Sequence, residues 1–241
     1  MTIIPDNIDR VRESIASACA RAGRDPDSVT LVAVSKKKPQ DHILKAIDAG
    51  VQHFGENRVE EAEAKIPAIN QQATTRPVWH MIGHIQSRKA KTVAPLFDVV
   101  HSVDRLKIAR KLSELAVEAD RVIDVLLEVN ISGEDAKYGF DVHHWQTDTK
   151  QRDAFWRDFE YMSQLPNLSI RGLMTMAPYV DEMEQTRPVF AGLAHLRETL
   201  RQHFETPLPD LSMGMTNDYP VAIEEGATIV RIGRAIFGER T

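Results

Sequence analysis

The sequence predicts an α/β protein: a single (β/α)8 TIM barrel over residues 1–241, preceded by an N-terminal helix. Three observations lead there. Eight short runs rich in β-branched residues alternate with helical segments along the chain. Several of those runs are apolar on both faces, as strands covered on both sides are. The length, 241 residues, is close to the roughly 250 that one such barrel needs. An open doubly wound sheet is the competing architecture. It needs an edge strand, and the most polar candidate begins at Asp98.

The elements follow in order. Residues 3–22 place Ile4, Ile8, Val11, Ile15, Ala18 and Ala22 on one helical face. Residues 29–35 (VTLVAVS) read as the first strand, and 39–49 as a helix closed by Gly50. Then come a strand at 51–54 and a helix at 58–69, a strand at 78–82 and a helix at 85–93, a strand at 98–102 and a helix at 104–119. Residues 122–131 (VIDVLLEVNI) form the clearest strand, followed by an irregular stretch at 132–149 and a helix at 151–164. The last units are a strand at 169–174 with a helix at 181–204, a strand at 210–213 with a short helix at 218–225, and a strand at 228–232 with a terminal turn at 235–237.

Composition excludes several classes. Thirty Lys and Arg stand against 35 Asp and Glu, a formal charge of −5, so no general attraction to nucleic acid or anionic membrane is expected. One cysteine, Cys19, rules out an internal disulfide or a cysteine-based metal cluster and is compatible with the cytoplasm. Charges interrupt the N-terminal 23 residues, unlike a signal peptide, and no stretch reaches 18 apolar residues.

In a barrel the chemistry gathers where strands end and helices begin. Lys36 directly follows the first strand. A partly desolvated amine beside Lys37 and Lys38 loses its proton more easily and can attack an aldehyde to form a Schiff base. The same KKK run can equally bind an anion or be merely solvated. The seventh strand ends in Ser212-Met213-Gly214-Met215-Thr216 and the eighth in Arg231-Ile232-Gly233-Arg234. Glycines let backbone amides approach a ligand, and barrels often seat a phosphate beside these two loops. Asp218 alternatively only caps a helix. Arg231, inside a strand, needs a carboxylate such as Glu56, Glu128 or Asp210, or else it faces a ligand. Asn57 either caps a helix or donates to a ligand. His80 and His84 lack the following glutamate of a zinc-protease pattern. The 132–149 stretch is long enough to cover a site.

Seven blocks carry a resemblance: VAVSK at 32–36, HFGEN at 53–57, WHMIGHIQSRKAK at 79–91, VNISGEDAKYGF at 129–140, IRGLMTMAP at 170–178, LSMGMTNDYPVAI at 211–223 and TIVRIGRAIFG at 228–238. In that order they resemble the pyridoxal phosphate homeostasis protein family. The resemblance implies a barrel like the N-terminal domain of alanine racemase, with pyridoxal 5'-phosphate (PLP) held on Lys36 as an internal aldimine. It implies phosphate contacts from Ser212, Thr216, Gly233 and Arg234, Arg231 facing the ring nitrogen, and Asn57 near the cofactor. It implies a carrier or regulator of vitamin B6 that influences amino-acid and keto-acid balance, without established turnover. Weak PLP-dependent racemization is the alternative, and a partner-binding reporter of cofactor status acting through 132–149 is a third reading. The family often has Asn where this chain has Arg88, and Ser where it has Thr216. The chain stops at Thr241, so the second domain of a racemase is not expected, which favours a monomer. The partners implied are PLP itself, PLP-dependent apoenzymes and B6 salvage enzymes.

Overall fold

Why the strands close on themselves follows from their burial. Val32, Phe54, Trp79, Val100, Leu127, Leu173, Leu211 and Val230 are all fully buried, so each strand needs cover on both faces and none tolerates an edge. The computed structural model describes residues 4–134 and 137–239. Residue 3 of the expected first helix and residues 135 and 136 of the expected loop lie outside them.

Eight parallel strands form the ring: β1 (Thr30–Val34), β2 (His53–Glu56), β3 (Val78–Met81), β4 (Val99–Val103), β5 (Ile123–Asn130), β7 (Leu168–Met174), β8 (Asp210–Ser212) and β9 (Ile229–Ile232), with β6 (Phe140–Asp141) lying outside it. Each ring strand pairs with its neighbour in sequence. β1 pairs with β9 and β4 with β5, so the sheet closes. The strand after Asp98, the candidate edge, is therefore flanked on both sides. Asp98 itself accepts from the Trp79 amide and from Arg76.

The helices follow α1 (Ile4–Arg21), α2 (Gln40–Asp48), α3 (Val59–Gln72), α4 (Ala90–Leu96), α5 (Leu106–Glu118), α6 (Thr149–Ser163), α7 (Arg187–Phe204), α8 (Tyr219–Glu224) and α9 (Arg234–Phe237). α1 buries Ile4, Ile8, Val11, Ile15 and Ala18 of the face read from its periodicity, with Asn7 and Cys19 added, while Ala22 falls just beyond the helix and is half-buried. It meets α2, α8 and α9, and Asn7 Nδ2 donates to Ile236 O at 2.8 Å. The opening helix thus ties down the chain that leaves the last strand.

Four boundaries differ from expectation. β2 lies two residues later than 51–54, so Gly55 and Glu56 are inside the strand; a Cβ on Gly55 would come within 2.9 Å of Ile82. Residues 85–89 are not α-helical. Ile85 is fully buried and a short 3-10 turn at Ser87–Lys89 precedes α4. The helix expected from residue 181 begins at Arg187, where Pro188 suits the first turn. Within 132–149, β6 pairs with the end of β5.

Candidate functional site

The ends of β1, β7, β8 and β9 surround a cleft of about 700 Å³, a size that takes a small cofactor. Of the three consecutive lysines, Lys36 and Lys38 line it. Lys38 Nζ is tied to the carbonyls of Phe237, Gly238 and Glu239 at 2.8–3.1 Å. Lys37 is exposed, adopts a left-handed φ of 58°, and donates its amide to Glu61. Lys36 lines the cleft half-buried, directly after β1.

Opposite stand two turns. Gly214 has a φ of 93°, and a Cβ there would meet Ala222 at 2.7 Å and Tyr219 at 2.9 Å, so only glycine fits. Thr216, Gly233 and Arg234 line the cleft. Among the described residues, the amides of Thr216, Asn217, Gly233 and Arg234 find no acceptor, while the Met215 amide is taken by the Asp218 carboxylate at 2.6 Å. A cluster of unspent N–H groups in glycine-containing turns is an anion cradle.

Arg231 forms part of the wall and is buried. Its guanidinium donates to Ser212 Oγ at 2.5 Å and to Thr175 O at 2.9 Å. Burial lowers its pKa to about 10, against the pull of Glu128 and Asp218. Of the three carboxylates expected as partners, only Glu128 acts on it, and through space. Glu56 bonds to Lys65 and Ser35, and Asp210 to Arg171. Burial, with Asp104 nearby, raises Glu128 to about 7 despite Arg231.

Two expected site residues stand elsewhere. Ser212 is fully buried beneath the cleft wall, and its hydroxyl is engaged by Arg231 and His101. Asn57 does not line the cleft; its Oδ1 is buried with no hydrogen-bond partner, and Arg58, not Asn57, precedes the first turn of α3.

A family model for the alanine racemase N-terminal domain matches residues 7–241. The pyridoxal phosphate homeostasis protein of Aquifex aeolicus is 40% identical over 98% of this chain and 97% of its own length. That of Vibrio cholerae is 42% identical over 100% and 98%. The chain belongs to the pyridoxal phosphate homeostasis protein family. PipY of Synechococcus elongatus, solved with PLP bound, has a TM-score of 0.79 at 36% identity, covering 95% of this chain and all of that one. Alanine racemase of Clostridium difficile has a TM-score of 0.71 at 12% identity, which shows the fold alone; this chain spans 56% of it.

In this homeostasis protein the cleft is walled after β7 by residues 177–181 and Met183, and none of the described residues of the 132–149 stretch lines it. Tyr179 there is 85% exposed. The 132–149 stretch is fastened instead to the end of β5: Asn130 bonds Glu134 O and the Gly133 amide, and Tyr138 stacks on His84 with ring centres 4.0 Å apart. Lys137 bonds Ser132 and the Met176 carbonyl. His84 pairs with Asp104, and no three-ligand metal cluster occurs among the described residues. Sequence reasoning missed Lys65. It lies in α3 yet is buried at the foot of the Lys36 turn, where its ammonium donates to Glu56, Glu61 and the Ser35 carbonyl. The signal was available: a lysine at 65 falls on the helical stripe of Val59, Ala62, Ile66 and Ile69.

Proposed function

We propose that this protein holds PLP reversibly on Lys36 and serves vitamin B6 homeostasis as a carrier. The observation that carries the reading is that Lys36 and the two turns with unspent amides line one cleft. The residues fit the group. Thr216, Gly233 and Arg234 suit a phosphate dianion, Gly214 shapes the turn that presents Thr216, and Arg231 suits the ring nitrogen. When bound, the cofactor supplies an aldehyde electrophile and a pyridine ring that can draw electrons. The Lys36 amine, which lines the cleft, would hold that aldehyde as a Schiff base. Arg231, which donates and cannot accept, opposes a proton on the ring nitrogen and so weakens the ring as an electron sink. That restraint leans the function away from transamination.

On this reading the protein works as a cytoplasmic monomer that passes PLP to dependent apoenzymes or takes it from salvage enzymes. No described helix is long and apolar enough to cross a membrane. Borohydride treatment of the protein loaded with PLP, followed by peptide mapping, should place the reduced adduct on Lys36, and Lys36→Ala should abolish it. An adduct on Lys37, Lys38 or Lys137 would overturn the assignment.

A further inference from the structure

A file of buried side chains crosses the barrel interior to Arg231. His53 opens β2, at the end of the barrel away from the cleft, and is half-buried. Its Nδ1 lies 2.9 Å from His80 Nε2. His80 Nδ1 lies 2.8 Å from His101 Nε2, and His101 Nδ1 lies 2.8 Å from Ser212 Oγ. Ser212 Oγ is the atom to which Arg231 donates. Elsewhere the same interior is filled by Val32, Leu126, Met174 and Ile229, so stacking apolar layers is open to this barrel and the polar file needs another reason.

The file has a direction. Arginine only donates, so Ser212 Oγ accepts from Arg231. The remaining described partner of that hydroxyl is His101 Nδ1, which must be bare to receive its hydrogen. His101 then carries its own hydrogen on Nε2 and gives it to His80 Nδ1. His80 repeats the pattern toward His53, whose Nε2–H closes the file at the barrel floor. With three neutral rings of one tautomer, every hydrogen bond in the file has a donor and an acceptor. Burial lowers the pKa of all three, His80 to about 3, in keeping with neutral rings.

A proton added to His53 breaks the pattern. Its Nδ1 now donates to His80 Nε2, so His80 and His101 must each move their hydrogen to Nδ1. His101 and Arg231 then both donate to Ser212, and the hydroxyl hydrogen is left without its acceptor in a fully buried site.

We propose that His53, His80 and His101 are positioning residues for Arg231: the directed file seats the guanidinium at the cleft, and a proton on His53 loosens that seat, so the protein grips a phosphorylated pyridine aldehyde less tightly in acid. This rests on the reading of Arg231 given above. The groups that face the file are few. Asp98, ahead of β4, faces His53 and favours its charge. Arg231 faces His101 and opposes charge there. Glu128 from β5 and Asp218 from the turn after β8 face Arg231, and Asp104 faces Glu128. His53, half-buried with Asp98 beside it, is therefore where a proton enters.

Long-range proton–nitrogen correlation spectra of the full chain without cofactor test the file directly. Near neutral pH all three rings should carry hydrogen on Nε2; an Nδ1–H form of His80 or His101 would overturn the direction. On acidification the two buried rings should switch tautomer together with the charging of His53, and independent titration would overturn the coupling. A second arm measures the Kd for PLP against pH. Lysine protonation alone weakens binding in acid, so the readout is the difference between wild type and His53→Gln, whose amide oxygen still accepts from His80 but does not titrate. The wild type should lose roughly tenfold more affinity than this variant across the titration of His53, about the worth of one charged hydrogen bond; equal losses would sink the release step. A Glu128→Gln control separates any effect of that carboxyl near pH 7. Failure to find the Lys36 adduct would strike the cofactor reading instead, and leaves the tautomer result standing.

Discussion

Two buried cations, Arg231 in the cleft wall and Lys65 at the foot of the Lys36 turn, are held in opposite ways. Lys65 is neutralised at contact, with Glu61 at 2.6 Å, Glu56 at 2.9 Å and the Ser35 carbonyl at 3.0 Å. Arg231 touches one hydroxyl and one carbonyl, and its carboxylates act only at a distance. Both are nearly inaccessible, so burial does not separate them. Saturation does. The field of Lys65 ends on its own partners, and the residue fixes the Ser35 carbonyl next to Lys36. The field of Arg231 is left to reach into the cleft. A buried charge marks a ligand site when its neighbours orient it without cancelling it.

Removing the Lys65 ammonium should cost the protein most. Lys65→Met leaves Glu56 buried without its cation, and Glu56 Oε2 already lacks a partner. We expect a loss of about 3–5 kcal/mol in urea unfolding. The double variant Lys65→Met with Glu56→Met should recover most of it, since apolar groups replace the pair. A single-variant loss under about 1 kcal/mol would mean that Lys65 is not the structural cation described.

Glu128 acts on Arg231 from a distance. Burial first, then Asp104, raises its pKa to about 7 from an ordinary 4.5. The folded state therefore binds this proton more tightly than the unfolded chain. The resulting stability is fully present below about pH 4.5 and is lost as pH rises through about 7. Glu128→Gln should remove that loss, so that its stability relative to wild type grows between these limits by about 2–3 kcal/mol. Chemical denaturation at several pH values measures it. If Glu128 instead titrated below 4.5, Arg231 would be contact-paired after all, and the contrast with Lys65 would fall.

How far the sequence reached follows the same division. The strands were legible because each is an apolar run bounded by turn residues, and the cleft residues Lys36, Thr216, Arg231, Gly233 and Arg234 were legible as strand ends. Partners of buried charge were not. Glu56 ends β2 and looks available to Arg231, but only packing shows that α3 brings Lys65 against it first. Ser212 sits in a block whose resemblance implies phosphate contacts, yet a strand alternates its faces. Ser212 therefore points into the barrel, and Thr216, beyond the Gly214 turn, is left to line the cleft. The histidine file was invisible for a like reason: His53, His80 and His101 lie on three strands, and only the closed ring brings them together.

The smallest effect tests whether the two ends of the cleft act separately. Thr216 offers one neutral hydroxyl beside the unspent amides, whereas Arg231 offers a charge at the base. Thr216→Ala should weaken PLP binding by roughly five- to tenfold, the worth of one neutral hydrogen bond, and Thr216→Ser should restore it. Stability should stay within about 0.5 kcal/mol, since the side chain is only half-buried and bonds nothing described. Unphosphorylated pyridoxal supplies the control. Its affinity should be indifferent to Thr216→Ala, because the phosphate is missing, but should still respond to Arg231→Met, because the ring remains. Equal sensitivity of both ligands to Thr216→Ala would place the hydroxyl at the ring rather than at the phosphate, and the anion cradle would have to be sought among the amides of Gly233 and Arg234 alone.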